Sequence, residues 1–336
     1  MMGKGRKRDG AGAPGMELRR RALLAAPLAL LPFSARAQNF PDRAVRYIVP
    51  FPPGGLTDIF ARLLGQKLSE LWGKPVVVEN RAGGSAMIGA EVVAKSPPDG
   101  YTMLAITSTH TVNVSLFPNA PYDFARDLRV VSILGALPLV VVVRADAPYR
   151  TLSDLAQAAK TRNLSGGSSG NGSPPHLGLE LFRRASGAGA NLVHVPYRGG
   201  APSLTDLMGG TLDLIVSNLP ECLEHVRGGR LRGLAVTSES RHPLIPAIPT
   251  VAEAGFASMQ ISNWTGLAVP RATPQPVVSV LSDSVQRAMA DPDLRGKAEA
   301  GGFAVVASTP DIAEAFAASE IARWAQLVAE AGIKAE

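Results

Sequence analysis

The feature of this sequence that most constrains its fold is a regular alternation of short β-branched runs with amphipathic stretches. Residues 45–49 and 75–79 are rich in valine and predict strands. Between them, apolar side chains recur from Leu56 to Leu71 at steps of three and four residues, which is the spacing of an amphipathic helix. A second helix over 86–95 and a third strand over 101–107 follow. This order predicts an α/β fold in which the first strands form a parallel sheet with right-handed crossovers.

A second set of alternating elements follows the apolar run over 137–143. Helices and strands are predicted at 152–161, 164–168, 175–186, 192–195, 201–208, 212–216, 222–227 and 231–237. A strand over 264–269 then returns to the first set, and helices over 275–290 and 310–331 complete the chain. We therefore expect lobe 1 to contain 38–142 plus 263–336, and lobe 2 to contain 143–262. The chain then passes between the two lobes twice, and these two segments form a hinge. Ligands of open α/β sheets collect at the carboxyl ends of the strands, which here face a central cleft between the lobes.

Residues 1–37 have the features of an export signal. Arg19 to Arg21 precede an apolar stretch that is too short to span a bilayer, and Ala35-Arg36-Ala37 supplies a small-x-small cleavage pattern. We expect a signal peptide over 1–37, with Met16 as an alternative start, and a protein exported to the periplasm. The paired arginines leave both the Sec and the twin-arginine route open. The lone Cys222 cannot form an internal disulfide, so the exported protein must be held by core packing.

The charge distribution argues against a nucleic-acid partner. The formal net charge of the 336-residue chain is +6, and eight basic against two acidic residues within 1–37 account for all of it. The remainder is neutral overall, so it lacks the electrostatic field that attracts phosphate backbones. The leader therefore explains the basic character of the chain.

Five strand–helix junctions are rich in glycine, hydroxyl or small residues. They are 50–58, 107–111, 166–173, 194–202 and 217–220. Glycines let the backbone approach a ligand closely, and a helix N-terminus presents unpaired N–H groups at the positive end of its dipole. These junctions favour a site that binds an anion through main-chain amides and hydroxyl groups.

One junction also fits a different class of function. Gly166, Ser168 and Gly170 match the G-x-S-x-G pattern of a hydrolase nucleophile elbow, and Asp213 with His225 or His242 follows in the right chain order. In a true elbow the serine passes straight into a helix, whereas residues 172–175 delay the helix here. A periplasmic serine hydrolase that uses Ser168 is therefore the alternative to a binding protein.

Other chemistries have no motif in this sequence. The chain has no G-x-G-x-x-G after its first strand and no P-loop, which leaves dinucleotide and P-loop nucleotide chemistry without support. It also lacks H-E-x-x-H and paired C-x-x-C motifs, so no metal site is indicated. We expect no cofactor, no metal and no enzymatic activity.

Taken together, these segments resemble the substrate-binding components of tripartite tricarboxylate transporters, the Bug family of periplasmic solute receptors. The matching fragments are Pro50-Phe51-Pro52-Pro53-Gly54-Gly55 with Asp58 and Ala61-Arg62, Val77-Val78-Glu79-Asn80-Arg81 with Gly83-Gly84 and Ile88-Gly89-Ala90, Pro98-Asp99-Gly100-Tyr101-Thr102, His176-Leu177 with Glu180-Leu181-Phe182, His194-Val195-Pro196-Tyr197-Arg198-Gly199, Asp206-Leu207-Met208-Gly209-Gly210 with Asp213, Leu234-Ala235-Val236-Thr237, and Pro249-Thr250-Val251-Ala252-Glu253-Ala254-Gly255. Their order and spacing cover almost all of residues 40–336.

The resemblance implies a two-lobe periplasmic-binding-protein fold, type II-like, that closes in the manner of a Venus flytrap on a small carboxylate or related amide. It also implies a monomer that docks transiently to a membrane permease. A module that presents its ligand to a sensor kinase uses the same fold, and the sequence does not exclude this alternative. The candidate ligand-binding residues are Phe51, Pro53, Gly54, Gly55, Thr57, Asp58, Thr107, Ser108, Thr109, Ser168, Ser169, Gly172, Ser173, His176, Tyr197, Gly199, Ala201 and Ser217.

Overall fold

A computed structural model of the protein describes residues 40–333, so the predicted signal peptide and its start site lie outside the described residues. Within this range the strands are β1 (Val45–Val49), β2 (Val76–Asn80), β3 (Thr102–Thr107), β4 (Leu128–Arg144), β5 (Leu164–Ser168), β6 (Leu192–Pro196), β7 (Leu214–Asn218), β8 (Leu231–Val236), β9 (Ser262–Pro270) and β10 (Ala304–Val305). The helices over the same range are α1 (Leu56–Trp72), α2 (Met87–Ala94), α3 (Ser108–Leu116), α4 (Phe124–Asp127), α5 (Leu152–Thr161), α6 (Pro174–Ser186), α7 (Gly200–Gly209), α8 (Leu219–Arg227), α9 (Gln275–Met289), α10 (Pro292–Ala300) and α11 (Pro310–Ala331).

The strands form one mixed sheet in the order β2-β1-β3-β9-β4-β7-β5-β6, with β8 and β10 also paired to β4. The predicted parallel pairing holds for β2-β1-β3, and β6-β5-β7 is parallel as well. The predicted return of a late strand to the first set is also correct, because β9 pairs antiparallel with β3. All helix–strand alternations of the two sets are therefore present, within a few residues of their predicted bounds.

Strand β4 joins the two sets of elements. Its residues 128–138 pair with β9, and residues 139–144 pair with β7 and β8. The sequence indicated only the C-terminal part of β4, the apolar run over 137–143. In the structure, register shifts interrupt the ladder of β4 with β9 near Val130 and Gly135. The lobe boundaries at 142/143 and 262/263 remain predictions.

The hydrophobic core follows the same division along the sheet. One group of buried side chains packs α1 and α9 against β1, β3 and β9, with Phe60 against Phe303 at a ring distance of 4.8 Å. Another packs α5, α6 and the end of α11 against β4, β5 and β7. Trp264 and Trp324 both donate their indole N–H to the buried Glu320 carboxylate, at 3.0 and 2.9 Å, so α11 is fastened to the start of β9. No helix within residues 40–333 combines the length and the hydrophobicity that a membrane crossing requires.

Candidate ligand-binding site

The loop between β1 and α1 is organised by Asp58. Its carboxylate accepts hydrogen bonds from the Gly54 amide at 2.9 Å, from Asn80 at 2.8 Å and from the Arg62 guanidinium at 2.9 Å. Burial alone would raise the pKa of Asp58, but these hydrogen bonds and the charge of Arg62 outweigh it and hold the pKa below its ordinary value. The predicted binding residue Asp58 therefore stabilises the conformation of this loop through its hydrogen bonds.

The glycines of this loop face solvent above Asp58. Pro53, Gly54 and Gly55 are exposed, whereas Thr57 is buried in the first turn of α1. Gly54 has a φ of +79°, and Gly55 is the N-cap of α1 without a side-chain hydrogen bond to the helix. The first turn of α1 thus keeps amide groups that no side chain caps, as an anion site requires.

The segment after β3 forms helix α3, which the sequence analysis did not predict. Seven of the nine residues of α3 are buried, including Ser108 and Thr109. The ring of Phe51 packs edge-on against His110 at 6.4 Å, which places the β1–α1 loop beside the start of α3. The structure therefore brings the first two predicted segments together.

Thr107, at the end of β3, has a buried hydroxyl whose proton has no acceptor. Its Oγ1 faces the His110 backbone amide in a capping box at the start of α3, and the hydroxyl donates to no described residue. Nε2 of His110 is buried without a hydrogen-bond partner among the described residues. Nδ1 of His110 lies 3.0 Å from the Thr107 amide nitrogen and 3.2 Å from the Thr107 carbonyl oxygen, so the ring is held by the residue at the end of β3. Burial lowers the pKa of His110 to about 4, which keeps the ring neutral near pH 7. A buried hydroxyl whose proton has no acceptor is a donor available to a ligand.

The loop between β5 and α6 is tied to its own helix. Ser173 caps α6 by accepting from the His176 amide at 3.3 Å, and Nδ1 of His176 accepts from the Gly172 amide at 3.1 Å. Gly172 has a φ of +72°, and a Cβ there would lie 3.0 Å from Leu116 of α3. This loop therefore packs directly on α3. The predicted binding segment of lobe 2 thus lies on the same helix as the β1–α1 loop, which contacts the start of α3 through Phe51.

Ser168 is bonded to a histidine, but not to either one that the hydrolase hypothesis named. Its Oγ lies 2.7 Å from Nε2 of His194 and also accepts from the Gly170 amide at 3.1 Å. The ring of His194 stacks on His176 at 3.9 Å, and burial together with this neighbour lowers the pKa of His176 to about 3. The side chain of Ser168 is buried at the end of β5, and five residues separate it from the start of α6.

The other members of the hydrolase hypothesis also lie elsewhere. Asp213 accepts from the Ser165 amide and hydroxyl, at 2.7 and 2.9 Å, at the opposite end of β5 from Ser168. The arrangement of Ser168, Asp213 and His225 or His242 is therefore not present as drawn.

A chain of buried polar side chains links the two sets of strands at the site. Ser108 donates to Oδ1 of Asn263 at 3.1 Å, and the Asn263 amide donates to Oδ1 of Asn218 at 2.9 Å. These residues begin α3, begin β9 and end β7, so the chain crosses the sheet. Asn263 was not predicted from the sequence, where its only signal is a polar side chain at the predicted crossover.

Glu221 completes this chain and was missed from the sequence. It lies in the first turn of α8, with Asn218 and Ser217 as polar neighbours of its carboxyl group. Its Oε2 is buried without a hydrogen-bond partner among the described residues and lies against Gly200, in the first turn of α7. Burial raises the pKa of Glu221 to about 7, although these two polar neighbours act in the opposite direction. An acidic residue three positions after a buried strand end was the available signal.

The remaining predicted residues are less closely gathered. The hydroxyl of Tyr197 donates to Asp206 at 2.6 Å, and burial with this carboxylate raises its pKa to about 12. Gly199, with a φ of +116°, caps α7 without a side chain, and Ala201 is exposed on that helix. Ser169 is half-buried next to Ser168. Residues 40–333 contain no cluster of three histidine, cysteine or acidic side chains suited to a metal ion.

A surface hollow of about 270 Å³ lies at the other end of α6, lined by Arg183, Arg184, Gly187, Gly189 and Glu330. Arg184 is already paired with Glu330 at 3.0 Å, and the hollow is far along the helix from the Ser173 cap. The converging strand ends are the better candidate because they present buried polar atoms without partners.

The sequence and the fold of this chain are similar to those of known receptor proteins. The model of the tripartite tricarboxylate transporter family receptor, TctC, matches residues 60–333. BugT of Bordetella pertussis (strain Tohama I) is 39% identical over 302 residues, which are 89% of this chain and 92% of BugT.

Solved structures give the same result for the fold. Periplasmic binding protein BugD matches with a TM-score of 0.81 and 31% identity over 88% of this chain and 100% of its own. MatC from Rhodopseudomonas palustris with bound malate has a TM-score of 0.80 and 31% identity, over 86% of this chain and 100% of MatC. R. palustris Rpa4515 with adipate has a TM-score of 0.82 and 35% identity, over 88% and 99% of the two chains. The predicted α/β periplasmic-binding-protein fold is confirmed, and the chain belongs to the tripartite tricarboxylate transporter receptor family, which includes the Bug solute-binding proteins.

Proposed function

We propose that this protein captures a small carboxylate in the periplasm, holds it unchanged and delivers it to a membrane permease of the tripartite tricarboxylate type. The observation that carries the proposal is the buried hydroxyl of Thr107, which donates to no described residue at the point where β3 enters α3. Leaving a buried hydroxyl unpaired costs about 1–3 kcal/mol, which a ligand oxygen would recover.

Two helix N-termini also support an anionic ligand. The helices α1 and α7 begin without a side-chain hydrogen bond to their N-terminal amides. Such amides bind carboxylates without an arginine, in line with a body whose net charge is zero. The malate bound to MatC and the adipate bound to Rpa4515 are ligands of this chemical class.

We further propose that the two sets of strands act as lobes that close on the solute. Their hinge would consist of β4 and the entry to β9, the two segments that pass between the sets. A ligand shifts such an equilibrium only by its greater affinity for the closed state, so contacts from both lobes are required. The bond chain from Ser108 through Asn263 to Asn218 lies where such contacts would meet.

The test is calorimetric and thermal-shift titration of the purified protein with a panel of small dicarboxylates, including malate and adipate. A ligand at 100 times its Kd stabilises the folded state by about 2.7 kcal/mol, which is readily detected. The solute must also be recovered intact, as chromatography after incubation will show. Turnover of a ligand would favour the hydrolase alternative, and failure of every acid to bind would refute the proposal.

Delivery to a permease needs a separate test in cells. Deletion of the gene should abolish uptake of the labelled solute, while a signalling module would leave uptake intact and change transcription instead. Fractionation of the parent strain tests localisation, because its periplasmic fraction should contain the protein.

A further inference from the structure

The turn between β2 and α2, residues 81–86, has an unusual backbone. Gly83, Gly84, Ser85 and Ala86 all have positive φ angles, of 128°, 53°, 52° and 71°. Residues with a side chain, such as Ser85 and Ala86, rarely adopt this left-handed conformation and keep it only where surrounding contacts hold them in it. Ala86 is the N-cap of α2 and makes no side-chain hydrogen bond to the helix. The conformation of this turn therefore depends on a contact from elsewhere in the protein.

That contact comes from Asn113 on α3. Its side-chain Nδ2 donates to the Ser85 carbonyl oxygen at 2.7 Å, and only 2% of Asn113 is exposed. Since a carbonyl oxygen only accepts, this bond also fixes which way the amide of Asn113 points. Its Oδ1 is directed toward the β5–α6 loop, because a Cβ added at Gly172 would lie 3.6 Å from it. Asn113 therefore lies between the β2–α2 turn and the β5–α6 loop, which belong to different sets of strands.

The segment that contains this turn supports the β1–α1 loop of the site. Asn80, which ends β2 just before the turn, donates to the Phe51 carbonyl oxygen at 3.1 Å and to Asp58 at 2.8 Å. After the turn, Gly89 of α2 packs so closely on Pro50 that an added Cβ would lie 2.7 Å from the proline side chain. The β1–α1 loop is therefore held by residues on both sides of the β2–α2 turn.

Resting on the proposed function, we propose that Asn113 is a positioning residue that fixes the β1–α1 loop relative to the β5–α6 loop, so that both can contact one solute. It acts through the β2–α2 turn and not through a contact of its own with the solute. Without its hydrogen bond, the Ser85 carbonyl oxygen loses its donor and the left-handed residues relax toward ordinary φ angles. The residues on both sides of the turn then shift, and the two loops no longer match one ligand.

The variant Asn113→Asp exchanges the donor for a titratable group of the same shape. Burial raises the pKa of a carboxyl group, so at pH 5 the protonated side chain still donates to the Ser85 carbonyl oxygen. At pH 9 the side chain is ionised, has no proton to donate and is repelled by that oxygen. Calorimetry on the full purified protein with malate and with adipate should therefore give a Kd at least about tenfold above the wild-type value at pH 9, and within about threefold of it at pH 5.

The ratio of the variant Kd to the wild-type Kd at each pH removes the effect of other titrations. Glu221, with its pKa raised to about 7, changes charge between pH 5 and pH 9 in both proteins. His110 on the same helix and His176 of α6 remain largely neutral, because burial lowers their pKa values to about 4 and 3. A pH-dependent ratio therefore reports the residue at position 113.

The matched control is Asn191→Asp, which breaks a bond of the same kind away from the site. Nδ2 of Asn191 donates to the Lys160 carbonyl oxygen at 2.9 Å, just before β6 begins. The Kd ratio of this control should stay near one at both pH values.

Hydrogen exchange supplies a readout that needs no ligand. Asn113→Ala removes the donor without adding a charge, so it also serves if Asn113→Asp unfolds at pH 9, and it should weaken binding at least about tenfold at pH 7. Exchange should be faster than in the wild type in peptides that cover 51–58 and 81–86, and unchanged in peptides from β5 and β7. A residue that only stabilises the fold would speed exchange in all of these peptides.

A Kd ratio for Asn113→Asp that is near one at both pH values, or that does not differ between them, would overturn this inference and leave the proposed function standing. Faster exchange spread evenly over the protein would overturn it as well. If the wild type binds neither malate nor adipate nor any other dicarboxylate, the proposed function fails and this inference fails with it.

Discussion

The side-chain amide of Asn263 donates to Oδ1 of Asn218 at 2.9 Å, and this bond joins the start of β9 to the end of β7. Because Oδ1 of Asn263 also accepts from Ser108 at 3.1 Å, one side chain connects both sets of strands to the start of α3. Asn263 is buried, so each of these groups depends on it for a partner. The site and the proposed hinge therefore share a single polar connection.

We expect Asn263→Ala to lower both stability and affinity. The substitution removes the hydrogen bonds of Asn263 with Asn218 and Ser108, which costs about 1–3 kcal/mol of unfolding free energy. It also removes a side-chain connection between the two sets of strands. Urea unfolding will measure the first effect and calorimetry with a bound carboxylate the second. The control Asn119→Ala changes an exposed asparagine and should alter neither. Wild-type affinity in Asn263→Ala would show that this connection does not organise the site.

The second prediction concerns the support of the β1–α1 loop. Asp58→Asn removes the charge that holds Arg62 and replaces an acceptor of the Gly54 amide, so the loop should lose its fixed shape. We expect a loss of about 1–3 kcal/mol in unfolding free energy, as for other hydrogen bonds to charged groups, and at least about tenfold weaker binding. The control is Glu299→Gln, which breaks the exposed i,i+4 pair with Arg295 and should cost less than about 0.5 kcal/mol. An Asp58 variant that binds normally would mean that the loop shape is irrelevant to the ligand.

The two glycines of the same loop separate backbone strain from ligand approach. Gly55 has an extended backbone with φ −79°, and a Cβ there meets only the Pro52 carbonyl oxygen at 3.6 Å. Gly55→Val should therefore fold with nearly wild-type stability but bind poorly, because its side chain occupies the space of the ligand. Gly54→Val, at φ +79°, should in addition lose about 1–2 kcal/mol of stability. Binding by Gly55→Val at wild-type strength would place the solute elsewhere.

The sequence predicted most of the fold because its pattern is local. The spacing from Leu56 to Leu71 and the glycines after β1 and β5 mark strands, helices and their junctions without knowledge of the rest of the chain. Helix α3 was missed because Thr107 to Thr111 are hydroxyl and β-branched residues of low helix propensity, and burial against the rest of the protein stabilises the helix instead.

The contacts of the site were harder to predict than its segments. Asp58 is a predicted ligand contact, and its hydrogen bonds with Arg62 and Asn80 give it a supporting role in the loop that the sequence does not predict. The Glu221 carboxyl group lies against Gly200 because α8 packs close to the start of α7. Residue spacing in the sequence does not predict such a contact between two helices. Chain-local patterns thus predict which segments reach a site, while side-chain roles depend on tertiary neighbours.

Ser168 provides a direct comparison of receptor and hydrolase. Ser168→Ala removes the 2.7 Å bond to His194 and should cost about 1–3 kcal/mol of stability while changing affinity modestly. A hydrolase would lose its turnover entirely, since the nucleophile is gone. Incubation of wild type and variant with a panel of esters and amides, followed by product analysis, decides between the two. Product formation that is present in the wild type and absent in Ser168→Ala would contradict the receptor function.

The last prediction concerns the pH dependence of stability, in which buried histidines and Glu221 act in opposite directions. The pKa values of His110 and His176, about 4 and 3, lie below the usual 6.5, so only the unfolded chain takes up these two protons as the pH falls through 6.5. Each removes up to about 1.4 kcal/mol of stability per pH unit.

The pKa of Glu221 is raised to about 7 from 4.5, so between these values the folded state holds one extra proton and gains stability as the pH falls. Glu221→Gln removes this compensation, and its unfolding free energy should therefore fall more steeply than that of the wild type between pH 6.5 and 5, by about 1.4 kcal/mol per pH unit. Urea titrations at half-unit intervals measure both slopes, and Glu224→Gln should follow the wild type. Parallel curves for Glu221→Gln and the wild type would show that Glu221 is ionised normally in the folded protein.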